Sequence, residues 1–180
     1  MAVLKIITAP DPILKMASSP ISKVTDETRQ LMNNMLETMY EDRGVGLAAV
    51  QVGILKQIIV IDLQDDEHDE EEEAKKPDDF YPLFMINPQI ISSSEEYVVA
   101  IEGCLSVPEM RIEVPRPDSI NLRFLDYFGN QTELKASGWL ARVIQHEMDH
   151  LTGKLIIDYL STLKKDMALS KLKKLKKQIL

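Results

Sequence analysis

The sequence predicts an α+β fold: antiparallel sheets packed around one central helix, with further helices towards the N- and C-terminal ends. Three observations carry that expectation. Short runs that mix apolar and polar side chains in strand-like fashion cluster between residues 57 and 135. Phe128-Gly129-Asn130 joins the last two runs as a hairpin turn does. Beyond them, residues 139–151 repeat apolar side chains every three to four positions, the helical period. Strands grouped ahead of a core helix favour a helix laid on antiparallel sheets.

Taken in order, the chain opens with Pro10, Pro12 and Pro20, which hold the backbone extended and loop-like. Thr25 is placed to cap a helix whose apolar stripe includes Leu31, Met35, Leu36 and Met39, with Gly44 as its expected stop. Strands are expected over residues 57–63, 80–86, 97–101 and 120–127, and the hairpin returns over 131–135. The central helix begins at Ser137 as N-cap and ends before Gly153. Residues 164–177 carry seven lysines against one acid, Asp166, while Leu172, Leu175 and Ile179 recur at helical spacing. A basic amphipathic helix over 161–180 follows. It docks by a narrow apolar stripe with a solvated lysine face, or it forms an arm that faces RNA phosphates.

At 180 residues the chain is expected to form one catalytic domain spanning 1–180, with a core large enough to need no disulfide staples. The lone cysteine suits a reducing compartment, and neither a transmembrane run nor a signal peptide is visible, so the cytoplasm is the expected location, with no membrane partner. The formal net charge of −8 is uneven. Residues 64–79 hold ten acids and two lysines, which leaves nineteen of each sign elsewhere. Such a block cannot bury enough apolar surface to order itself, so it reads as a mobile acidic loop inserted between two strands, with His68 solvated inside it.

Within the central helix, Gln145-His146-Glu147-Met148-Asp149-His150 carries the chemistry. Positions i and i+4 share a helix face, so two imidazoles at that spacing can grip one metal ion. Glu147 follows His146 directly and projects beside the ion, where the general base of a metal-assisted hydrolysis belongs. An exposed polar face is the plain alternative, and the flanking residues argue against it. Trp139, Val143, His146 and His150 follow one stripe; Leu140, Ile144, Glu147 and Leu151 follow the next. The histidines and the glutamate therefore stand in core positions. A carboxylate buried there costs on the order of several kcal/mol unless a cation compensates it. The sheets are thus expected to pack around a central metal-binding helix.

Two histidines leave the ion short of ligands, since catalytic sites usually take three from the protein and keep one position open. Cys104, in Glu102-Gly103-Cys104-Leu105-Ser106, and several carboxylates are candidates for the third. Gly44-Val45-Gly46-Leu47-Ala48-Ala49-Val50-Gln51 adds a run of small residues, which lets a substrate approach the backbone, and one amide side chain able to face a developing oxyanion.

Together these three blocks resemble, in order and separation, the three motifs of the peptide deformylase family. Pro10-Asp11-Pro12-Ile13-Leu14, residues 107–116 and Asp158-Tyr159-Leu160-Ser161 are similar to bacterial members as well. The likeness covers most of the chain; the acidic insertion is the main departure and touches no motif. The resemblance implies removal of the formyl group from the N-terminal formylmethionine of newly synthesised polypeptides, as N-formylmethionyl nascent chains, with release of formate. It implies Cys104, His146 and His150 as metal ligands, Glu147 as general acid and base, and Gln51 with the Leu105 amide as the oxyanion site. Val45, Gly46 and Val143 would line a methionine pocket, and Arg111 would meet the substrate backbone. One divalent ion is implied, Fe(II), which zinc or nickel replaces readily; a Cys-His-His set by itself looks like a zinc site. Glu102 and Asp149 are expected to orient the imidazoles or pair with Arg116.

A zinc endopeptidase shares the helix motif. It would need a downstream third ligand, and beyond His150 only Asp158 and Asp166 offer themselves, with the other two motifs unexplained. A ribosome- or RNA-binding module that has lost catalysis is the reading from a different class. All five residues expected for catalysis and metal binding are present, which argues against lost catalysis. The docked helix with a solvated lysine face is the favoured reading, and ribosome attraction would be an addition to an active enzyme.

Overall fold

The computed structural model describes residues 2–64 and 80–179. The acidic block, Gln64 apart, and His68 with it lie outside the described residues. A short 3-10 turn, Pro12–Lys15, interrupts the extended N-terminal arm. Helix α1 then spans Asp26–Glu41, and the Thr25 hydroxyl and Thr28 satisfy each other's backbone amides as a capping box. The helix ends before the expected glycine. Arg43, not Gly44, takes the left-handed conformation, with φ of 54°. Gly44 is needed for a different reason: a Cβ there would lie 2.8 Å from Leu105 Cδ1.

Strands β1 (Gly46–Ala48), β2 (Ile58–Ile61), β3 (Leu83–Ser93), β6 (Ser119–Leu125) and β7 (Gln131–Ser137) form one antiparallel sheet in the order β1-β2-β3-β6-β7. Strands β4 (Tyr97–Glu102) and β5 (Ile112–Pro117) form a separate antiparallel pair. Two strands depart from expectation. Small residues hide β1, which reads as loop in sequence yet pairs Gly46 with Ile61 and Ala48 with Ile59. In β5 two prolines argue against a strand, but a two-stranded sheet leaves one backbone edge free, and that edge tolerates the missing donors. The expected strand over 80–86 starts later and runs on to Ser93, crossing irregularities in register between Ile86 and Ser92.

Helix α2, Gly138–Leu151, packs across β1 and β2 and touches β5, β6 and β7. Its buried Leu140, Val143, Ile144 and Leu151 join Ile59, Ile61, Met85 and Leu122 in the principal core. Each such side chain contributes about 1.5–3 kcal/mol by leaving water. Ser137 enters the helix with extended backbone, though its side chain makes no capping bond. Past its end Gly153 has φ of 75°, and a Cβ there would meet the Lys15 carbonyl oxygen at 2.3 Å. Helix α3, Thr162–Ile179, docks through Ala168 and Leu172 onto Leu14, Val107 and Ile157. Lys165, Lys171 and Lys176 pair with Asp158, Glu109 and Asp11, so part of the lysine face fastens the helix down. No helix among the described residues is long and apolar enough to cross a membrane.

Candidate metal centre

Two segments bring the candidate ligands together. The loop after β4 brings in Cys104, and α2 supplies His146 and His150 one turn apart. One ligand atom from each of the three lies within 4.8 Å of the others, and Cys104 Sγ stands 3.4 Å from His150 Nε2. This is the sole such grouping of histidine, cysteine and acidic side chains among the described residues. A thiol and two imidazoles at that spacing are a donor set for a divalent transition metal, one ligand short of the four a tetrahedral ion takes.

Around the ligands runs a buried ionic lattice. Glu102 Oε2 accepts from His146 Nδ1 at 2.9 Å, which fixes the tautomer and leaves Nε2 with its lone pair for the metal. Arg116 grips both oxygens of Glu102, at 2.6 and 2.9 Å, and Arg142 donates to Oε1 at 2.8 Å. Arg142 also reaches the carbonyls of Val114 and Val98, binding both strands of the small sheet to α2. Asp149 accepts from Arg116 at 2.9 Å and from the Tyr159 hydroxyl at 2.7 Å. Two carboxylates face two guanidinium groups, so the lattice carries no net charge before His146 is counted. Burial alone would raise the Glu102 carboxyl; hydrogen bonds from His146 and Arg116 outweigh it and hold the pKa at about 2.

Glu147 sits differently. Burial pushes its carboxyl up to about 7, although His146 beside it works in the other direction. Its Oε2 is buried without a hydrogen-bond partner among the described residues. The other oxygen fills the space where Gly46 lacks a side chain: a Cβ on Gly46 would stand 2.5 Å from Oε1. A carboxylate left so poorly compensated is a reactive group or the neighbour of a cation site, and a metal on the three ligands would meet that need. His150, held neutral by burial and by the nearby His146, keeps its Nε2 available, and its buried Nδ1 has no partner among the described residues.

Gln51, 1% exposed on the 3-10 turn Ala49–Val52, turns its carboxamide towards the same centre. Its Nε2 lies 3.8 Å from Cys104 Sγ. Leu105, next to Cys104, packs half-buried against the cluster beneath α1. Gly46 opens β1 against Glu147, with Val45 just before it in the chain, and Val143 stands on α2 one turn before His146. Arg111 is exposed, just before the start of β5. Sequence reasoning missed Arg142, Ser106 and Tyr159. Arg142 left one signal, a basic residue within the buried face of the helix; the other two became visible only through partners 55 and 10 residues away.

Comparison with known proteins gives the same answer as the geometry. Residues 3–166 match the family model for polypeptide deformylase. Peptide deformylase 1 of Rickettsia conorii is 61% identical over 179 residues, covering 99% of each chain. A peptide deformylase of Orientia tsutsugamushi is 52% identical, with 98% of this chain and 97% of that one covered. The crystal structure of the Ehrlichia chaffeensis peptide deformylase in complex with actinonin superposes with a TM-score of 0.87 at 44% identity, over 97% of this chain and 98% of that one. Three converging motifs, a thiol-imidazole donor set and full-length likeness agree, and the chain belongs to the polypeptide deformylase family.

Proposed function

We propose that this chain hydrolyses the N-formyl amide of formylmethionine at the start of new polypeptides, releasing formate and a free amine, as one catalytic domain acting in the cytoplasm. The observation that carries the reading is the convergence of Cys104, His146 and His150 beside a buried, uncompensated Glu147. A divalent ion held there supplies Lewis-acid activation of water at neutral pH; Fe(II) is the ion proposed, with zinc or nickel able to take its place. Glu147 takes a proton from the attacking water and returns it to the departing amine, a role that is typically worth ~10²–10⁴ in rate. Gln51 Nε2 and the Leu105 N–H steady the oxyanion, at roughly 3 kcal/mol for each donor. Val45, Gly46 and Val143 receive the methionine side chain, and exposed Arg111 meets the peptide backbone beyond it.

Formate release from a short formyl-Met peptide tests the reading, with protein purified without oxygen and loaded with Fe(II). Turnover that collapses in Glu147→Gln, with one metal still bound per chain, is the expected result. No turnover by metal-loaded wild type would overturn it.

The same proposal places the enzyme at the ribosome through α3. Lys164, Lys173, Lys174 and Lys177 are exposed and take no part, among the described residues, in the ion pairs that dock the helix. Such a face favours phosphate contacts. Reversing Lys173, Lys174 and Lys177 to glutamate is expected to weaken co-sedimentation with ribosomes in low salt while short-peptide turnover holds. Undiminished co-sedimentation would remove this partner.

A further inference from the structure

The turn that carries Cys104 also carries a buried hydroxyl that no role yet explains. Ser106 is fully buried, and its Oγ accepts from Gln51 Nε2 at 3.1 Å. At the other end of the same carboxamide, Oε1 accepts the Ala48 N–H at 2.8 Å. A backbone N–H can only donate, so the atom facing it must be the oxygen, and Nε2 is fixed on the opposite side. Oε1 and Nε2 both lie off the Cγ–Cδ axis, so any swing of the amide plane carries both away from their partners, and the contacts at Ala48 and Ser106 together restrain it. An amide nitrogen carries two hydrogens; with one committed to Ser106, the other is directed towards Cys104 Sγ, 3.8 Å away, and the space beside it.

The backbone that carries this hydroxyl is held in place. The Ser106 carbonyl accepts the Ala9 N–H at 2.8 Å, and the Val107 N–H closes the turn onto the Cys104 carbonyl at 2.9 Å. One turn thus bears a metal-ligand candidate, the Leu105 amide and the hydroxyl that orients Gln51. We propose that Ser106 is a positioning residue, setting the plane of the Gln51 carboxamide so that its free N–H meets the oxyanion as charge develops. The inference rests on the deformylase reading above.

A double-mutant cycle separates the two. Loss of one oxyanion donor costs ~10²–10³ in kcat, and a donor merely misaligned loses part of that, so Ser106→Ala is expected to lower kcat by about tenfold with KM within about twofold. In a Gln51→Ala background the same change should do nothing further, because the side chain it orients is gone. Zinc-loaded protein gives an independent readout by NMR: the Gln51 side-chain amide, identified by its absence in Gln51→Ala, should shift and exchange faster with solvent in Ser106→Ala. Equal losses in both backgrounds, or an unmoved Gln51 amide, would overturn the role of Ser106 while wild-type turnover kept the deformylase reading intact. A wild type without turnover would overturn both. Should Ser106→Ala fail to fold, the wild type still decides: slow exchange of the Gln51 amide protons supports the clamp, and exchange as fast as a surface glutamine overturns it.

Discussion

Gly46 illustrates how little space the reacting groups leave. Its missing side chain is the room that Glu147 occupies, with Oε1, Cδ and Cγ all within 2.9 Å of where a Cβ would be. Gly46→Ala should therefore displace the carboxylate and leave the sheet intact, because the crowded atoms are the mobile end of a side chain. The expected outcome is a fall in kcat of at least ~10-fold, part of the range for losing a general base, with metal content and melting temperature close to wild type. Assays of formate release beside metal analysis check this. In sequence, the glycine reads as backbone access for a substrate; its service to Glu147 needs the third dimension. His146, Glu147 and His150 were legible because a single helix sets their spacing. Ser106 and Arg142 were not, because their partners come from segments folded back across tens of residues.

At the scale of elements, α2 is held less by its N-cap than by the ions around it. Arg116 and Arg142 tie it to both strands of the small sheet through Glu102, and Asp149 joins it to Tyr159 on the short turn Ile156–Tyr159. Removing one partner of a buried charge network leaves the others uncompensated, typically at about 3–5 kcal/mol. Arg142→Met should approach that loss in denaturant unfolding, whereas Tyr159→Phe, which deletes one hydroxyl, should cost about 1–3 kcal/mol. Asp158 fastens the same turn to both chain ends, accepting from Lys15, from Lys165 and, at 2.8 Å, from the Leu155 amide. Burial opposes its ionisation, yet these bonds prevail and hold its pKa below the ordinary 3.8. A carboxyl depressed in the folded state adds stability above its unfolded pKa near ~3.9 and loses it as pH falls through the folded value. Asp158→Asn should therefore lower stability at neutral pH and narrow its gap from wild type below about pH 4, as read from unfolding midpoints across pH. The pairing of strands carried by clear alternation was legible; β1 and β5 were hidden by small residues and prolines, whose strand character comes from neighbours.

For the whole molecule, the metal is expected to be part of the fold. Its three ligands come from two segments 42 residues apart in sequence, Cys104 after β4 and His146 with His150 on α2. A ligand that binds only the native state adds about 2.7 kcal/mol at a hundred times its Kd. For a chain of this size each kcal/mol moves Tm by about 2–4 °C, so a chelator should lower Tm by roughly 5–10 °C. Calorimetry with and without chelator, then with metal restored, would check it; an unchanged Tm after complete removal would mean that the lattice of Glu102, Arg116 and Arg142 alone sets the geometry.

The extended N-terminal arm has a mechanical consequence. Its amides engage in succession: Ala2 with Asn34, Leu4 with Thr38, Ile7 with the Gln51 carbonyl and Ala9 with the Ser106 carbonyl. Pulled from that end, the arm would peel like a zip. Its first two teeth lie on α1, the third lies on Gln51, proposed to steady the oxyanion, and the fourth on Ser106, proposed to orient Gln51. Under load, then, the enzyme should fall silent while its five-stranded sheet is still whole.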